Sequence, residues 1–239
     1  MFVMIPNMGI FAKLLANRLA PHLNSLVSNC QSAFIKKRSI HDNFLCVQAT
    51  VKKMHREKTP ALFMKLDIHK AFDTVNWSYL LDVLRALGFG TRWCKLVSML
   101  FRTATSRVLI NGLQGPSFHH ARGVRQCDPL SPMLFILAMD PLQRMLELAT
   151  QNGAISPLPS TIARWRASLY ADDAAIFLNP TKDDITAIQV VLQAFGNISG
   201  LHINMDKSSV HPLKCEDIDL GHVLGSFIGI EGEYNLWNI

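Results

Sequence analysis

No uncharged apolar run in this chain approaches the ~18 residues that cross a bilayer, so no membrane segment is expected. The apolar N-terminus is interrupted by Pro6, Asn7 and Lys13 and lacks a basic leader and a small-residue cleavage site, which argues against a secretory signal. Cysteine is scarce: Cys30, Cys46, Cys94, Cys127 and Cys215 make an odd number with no CxxC pair. That pattern excludes a disulfide framework and a cysteine zinc site, and reads as thiols of an intracellular protein. His211 and Cys215 are too few to make a metal site and are expected at the surface. Internal repeats and low-complexity tracts are also missing, which excludes solenoids and disordered tails. Acid is the scarcer charge, 18 residues against 24 basic ones, for a net +6 and a pI near 9.2. A polyanionic partner fits this balance, but so do many proteins that have none.

What is present is enough to build a core. The 239 residues are 49% hydrophobic and 18% charged, sized for one large domain or two small ones. Helical spacing of apolar residues predicts helices over 8–22 (stopped by Pro21), 40–58, a stretch holding Leu80, Leu81, Leu84 and Leu87 and ending near Gly88, 91–102, 133–150 and 183–198. Pro141 should kink or divide the fifth of these. Short apolar runs predict strands at 61–66, 105–111 and 117–121, with Asn111-Gly112 as a hairpin turn, and a further strand and hairpin over 161–178. The basic run Phe34-Ile35-Lys36-Lys37-Arg38 reads equally as a solvated loop or as a phosphate contact. The prolines of Asp128-Pro129-Leu130-Ser131-Pro132 introduce a helix whose entrance could seat an anion. Beyond Pro212 no periodicity is evident.

Chemistry concentrates in Ser168-Leu169-Tyr170-Ala171-Asp172-Asp173-Ala174-Ala175-Ile176-Phe177-Leu178. Two apolar arms flank adjacent carboxylates, which repel each other unless a cation offsets the charge. An Asp-rich turn without function fits these residues as well. Asp67, at the end of the apolar strand 61–66, is a second carboxylate held by a sheet. Metal-assisted phosphoryl transfer needs such carboxylates to converge on two divalent ions. Spacing along the chain does not by itself bring them together.

Six blocks, in order, resemble the reverse transcriptase domain of non-LTR (LINE-type) retrotransposons, plant ones in particular. They are Leu14 to Leu19; Gln31 to Ile35 with Arg38-Ser39-Ile40 and Asp42-Asn43; Lys65-Leu66-Asp67 with Lys70-Ala71-Phe72-Asp73; Gly123 to Gln126 with Asp128 to Pro132; Tyr170 to Asp173; and Gly200-Leu201 with Ile203-Asn204 and Lys207-Ser208. The resemblance implies an α+β right hand with partial fingers (1–58), a palm (59–210) and a non-matching tail (211–239). It implies RNA-directed DNA polymerase activity, with two Mg²⁺ ions held by Asp67, Asp172 and Asp173 and faced by the Ile68 carbonyl. Phe72 matches the aromatic beneath the incoming dNTP sugar, Arg125 and Gln126 the nucleotide loop, and Lys207 a lysine beside the pyrophosphate. Arg38 and Lys36 are candidate phosphate contacts. The implied partners are an RNA template and a DNA primer, with no membrane and no stable protein partner. Phe72 argues against use of NTPs, and so against an RNA-dependent RNA polymerase.

Departures from the pattern are equally specific. Cys127 and Lys37 stand where the family usually has glycine. The family continues past Lys207 to a primer-gripping hairpin and a helical thumb, and residues 221–239 resemble neither. The chain is therefore expected to be a truncated copy lacking the thumb. The alternative is a non-catalytic remnant that binds nucleic acid weakly.

Overall fold

The computed structural model describes residues 6–159 and 165–225. The start of the strand predicted at 161 and most of the segment after Gly221 lie outside these residues. Helix α1 (Pro6–Leu19) ends two residues before Pro21, but the helical path continues. A 3₁₀ turn (Ala20–His22) takes the proline in its first turn and leads directly into α2 (Leu23–Leu26). Helix α3 (Ile40–Arg56) starts where the Ser39 hydroxyl accepts from the His41 N–H. After β1 (Ala61–Ile68) come a single turn, α4 (Ala71–Thr74), and α5 (Trp77–Ala86), capped by the Asn76 side chain; Gly88 follows with φ +86°. Helix α6 (Thr91–Arg102) occupies the predicted span. Strands β2 (Thr105–Ile110) and β3 (Leu113–His119) form a separate hairpin whose turn, Asn111 and Gly112, takes positive φ at both residues.

Helix α7 (Ser131–Gln151) contains Pro141 yet runs on as one element. Its apolar residues are buried around most of its circumference, so packing holds it where local propensity would break it. Strands β4 (Ala167–Tyr170) and β5 (Asp173–Leu178) form the acidic hairpin. Helix α8 (Lys182–Ser199) is capped by Thr181 and closed by Gly200 at φ +81°. Strand β6 (Ile203–Leu213) and the short α9 (Leu220–Leu224) complete the described chain.

The main sheet is antiparallel in the order β4-β5-β1-β6. Strand alternation gives it two different faces. Leu62, Met64, Leu66 and Ile68 of β1 enter the main core with Ile176 and Leu178, against α5, α7 and α8. Phe63 and Phe177 face the other way and meet Val51 and Met54 of α3. Helix α3 packs closely on that end of the second face, and its first half, with Ile40, Asn43 and Phe44, forms a wall over the rest. Toward Lys65 and Asp173 the face opens into a cleft of about 500 Å³. His211 and Cys215 are buried rather than exposed: His211 lies beside Ser209, and the Cys215 thiol donates to the carbonyls of Ala61 and Leu213. Strand β6 carries the sheet to Leu213, past the boundary drawn at 210.

Candidate active site

Pairing of β1 with β5 runs from Leu62–Leu178 to Leu66–Ala174. One further step sets Asp67 opposite Asp173, so the two share a face with Lys65 and Ala175. Tyr170 pairs with Asp173, leaving Ala171 and Asp172 as the two-residue turn, with Ala171 at φ +53°. On its other side β1 meets β6 irregularly. Lys65 faces Ser209 and Asp67 faces Asn204, so residues 205–208 oppose Leu66 alone. This bulge breaks the ladder beside Asp67 and holds Lys207, which lines the open cleft with Lys65, Tyr170 and Asp173.

The acidic end of the sheet is supported by residues far away in sequence. The Asn204 amide donates to Asp67 Oδ2 at 3.1 Å. The Ser208 hydroxyl accepts from the Asp67 N–H at 3.1 Å and donates to the Asn204 carbonyl at 2.7 Å, so one side chain pins both the bulge and the aspartate. Gln31 is fully buried under the hairpin. Its Oε1 accepts from the N–H of Ala171 (3.1 Å) and of Ala33 (2.9 Å), and its Nε2 donates to the Ala171 carbonyl (3.4 Å). The Asn43 amide donates to the carbonyls of Leu169 and Cys30. Sequence reasoning gave these four residues no role. The signal that could have marked them is their presence in the blocks that match the family.

Electrostatics tie the carboxylates together. The Asp173 carboxyl is pushed above the ordinary Asp range by desolvation first and by the charge of Asp172 next; Lys65 opposes and Asp67 adds to the rise. Among the described residues no three His, Cys, Asp or Glu side chains close on one point as a preformed metal cage. The donor set, three carboxylates with no sulfur or imidazole, is of the all-oxygen kind that suits Mg²⁺.

Phe72, Arg125 and Gln126 form a second group. The Phe72 ring stacks on Phe135, centroids 4.5 Å apart. The Val124 N–H donates to the Phe72 carbonyl at 2.7 Å and the Gly123 N–H to the Val75 carbonyl at 2.8 Å. A Cβ on Gly123 would lie 2.6 Å from the Asp73 carbonyl oxygen, so only glycine permits this approach. Arg125 and Gln126 line a hollow of about 240 Å³ with Asp73, His120 and Arg122.

Arg38 is a correction. Its Nε donates to Asn24 Oδ1, Nη1 to the carbonyls of Ser28 and Gln31, and Nη2 to the carbonyls of Asn24 and Val27. With a further contact from Nη2 to Asn29 Oδ1, five N–H groups meet six acceptors, so the guanidinium folds the 24–31 segment and keeps no donor for a phosphate. Lys36 and Lys37 beside it are exposed. The entrance of α7 is likewise filled. Asp128 Oδ1 accepts from the N–H groups of Leu130 and Ser131, so the protein supplies its own anion there. Cys127 and Lys37 adopt φ +65° and +70°, the conformation that glycine tolerates best. Cys127 is exposed, so Cys127→Gly removes left-handed strain at little packing cost. After glycine's larger unfolded-state entropy is subtracted, a gain of ~0.5–1 kcal/mol is expected. It is read as a higher urea midpoint at constant slope.

The model of the family described as "Reverse transcriptase (RNA-dependent DNA polymerase)" matches residues 4–220. The chain belongs to the reverse transcriptase family. Its relatives place this reverse transcriptase domain with the non-LTR retrotransposons. It is 35% identical over 211 residues to a Pol polyprotein of the retrotransposable element R2 of Nasonia vitripennis, covering 88% of this chain and 19% of that protein. It is 30% identical over 200 residues to a 149 kDa protein of transposon TX1 of Xenopus laevis, covering 84% of this chain and 15% of that one. The domain thus spans under a fifth of either protein. Among solved structures it resembles a Candida tropicalis telomerase, described in complex with a fragment of telomeric RNA, with a TM-score of 0.59 at 12% identity over 84% of this chain and 33% of that one. At that identity the likeness establishes the fold, mixed helix and sheet in the fingers-and-palm manner.

Proposed function

We propose that this reverse transcriptase domain extends a DNA primer on an RNA template with dNTPs. The observation that supports this most is the strand register that carries Asp67 and Asp173 to one end of the sheet, beside the turn that holds Asp172. Asp67, Asp172 and Asp173, with the Ile68 carbonyl, are the groups that would hold two Mg²⁺ ions. Such ions, when bound, activate the primer 3′-hydroxyl and neutralise charge on the departing pyrophosphate. Asn204 and Ser208 hold Asp67, and Gln31 holds the turn that carries Asp172, so the acids are oriented before any substrate arrives. Lys207, exposed in the cleft with Asp173, would neutralise or protonate a phosphate oxygen. Phe72 excludes a 2′-hydroxyl by bulk, while Arg125 and Gln126 contact the nucleotide and template.

Primer extension on an RNA template, with dNTPs and Mg²⁺, tests this reading. Extension is expected to require both the RNA template and the metal. Template–primer binding that weakens with salt but yields no extension, in metal-replete conditions, would instead leave a nucleic-acid-binding remnant.

A further inference from the structure

The nucleotide loop is not fastened by backbone alone. Val124 and Gly123 donate to the main chain of the segment that carries Phe72, and Gln126 Nε2 lies 3.4 Å from Asp73 Oδ1. A further tie is a side chain from α5. The Trp77 indole N–H donates to the Gly123 carbonyl at 2.6 Å. Its ring is stacked on Phe101 of α6, centroids 5.3 Å apart and planes within 10°. The stack fixes where the N–H points, so helices α5 and α6 act as the anchor and the indole as the clamp. The loop it grips is short and two of its residues, Gly123 at φ +85° and Cys127 at φ +65°, lie in left-handed conformations. A loop of that kind needs outside restraint to keep one shape.

We propose that Trp77 is a positioning residue for nucleotide selection. Its N–H holds residues 122–126 in register with Phe72, so that Arg125 and Gln126 on one side and the aromatic gate on the other form a single pocket wall. The inference rests on the polymerase reading above. The bond touches neither substrate nor the acidic cluster, so its loss weakens nucleotide capture more than the chemical step. It also loosens the spacing between loop and gate, on which rejection of a 2′-hydroxyl depends.

The test replaces Trp77 by 3-benzothienylalanine, which keeps the bicyclic shape and the stack on Phe101 and exchanges only the N–H for sulfur. Trp77→Phe serves as the genetically encoded companion. Loss of one hydrogen bond of ordinary net worth predicts a KM for dNTP raised about fivefold, with kcat within about twofold. The preference for dNTP over NTP should fall by a similar factor. Trypsin cleavage after Arg122 and Arg125 should quicken by about as much in the folded protein. A purely structural role for the indole would not divide KM from kcat or alter sugar preference. Unchanged KM in a benzothienylalanine variant of an enzyme that extends primers overturns the inference, and so does unchanged cleavage at both arginines. A wild type that extends no primer while the variant is cleaved faster defeats the polymerase reading and leaves the clamp on the loop standing.

Discussion

Asp172→Asn is expected to lower primer extension by ~10²–10³-fold while leaving the fold intact. Asp172 sits in the two-residue turn between β4 and β5, and asparagine is nearly its isostere, so no core contact is lost. What disappears is one negative charge beside Asp173, whose ionisation it opposes. The Asp173 carboxyl should then titrate nearer its ordinary range, because the second largest cause of its upward displacement is gone. The sign for stability follows. A carboxyl whose folded pKa is raised contributes stability below its unfolded pKa and loses it as pH rises through the folded value. The wild type therefore gains stability from this group on acidification through the carboxylate range, and the variant gains less. Single-turnover extension, a thermal melt at two pH values and an NMR titration of Asp173 check the three statements. An activity loss matched by a collapse of the melt would mark Asp172 as structural instead.

Gln31→Leu should be the most damaging change outside the acidic cluster. The leucine fits the volume but bonds to nothing. It leaves the N–H groups of Ala33 and Ala171 and the carbonyl of Ala171 without partners in a fully buried place. At 1–3 kcal/mol for each buried group stranded, and allowing for relaxation, a loss of ~2–4 kcal/mol is expected. Urea unfolding measures it. Gln31→Glu does not separate packing from bonding. Its buried carboxylate would add a desolvation cost of its own, so Gln31→Met is the cleaner companion: it restores the unbranched length without the amide, and near-wild-type stability would show that the amide network is not what holds the turn.

How far the chain could be read without coordinates depends on the range of the interactions involved. Helix α6 was legible to the residue because its apolar period is clean and Gly90 and Thr103 bound it. The β2–β3 turn was legible because Asn-Gly is made for positive φ. The Asp pair was legible as a hairpin because apolar runs flank it on both sides, although the positive φ of the turn falls on Ala171. Strand β6 was not read as a strand, because Pro212 and the polar residues 206–208 break the pattern. It tolerates both as an edge strand paired only to β1, and the irregular residues form its bulge. Gln31, Asn204 and Ser208 lie 140, 137 and 141 positions from the residues they hold, beyond the reach of any periodicity. Arg38 misled for the opposite reason: beside two lysines it reads as surface charge, and only the folded 24–31 segment reveals the carbonyls that surround it. Cys127 and Lys37 stood out through the family pattern, and their positive φ supplies the physical meaning of the glycines usually found there.

Gln31 grips Ala171 entirely through main-chain atoms, and this sets the mutational tolerance of the Tyr-Ala-Asp-Asp turn. A contact with amide and carbonyl is blind to the side chain it supports. Position 171 should accept glycine, which suits φ +53° better than alanine does. Proline would delete the hydrogen that Gln31 receives, and valine or isoleucine would carry a branched Cβ into a left-handed backbone. Substitutional freedom at this position is therefore drawn by stereochemistry, one residue away from carboxylates where it is drawn by charge.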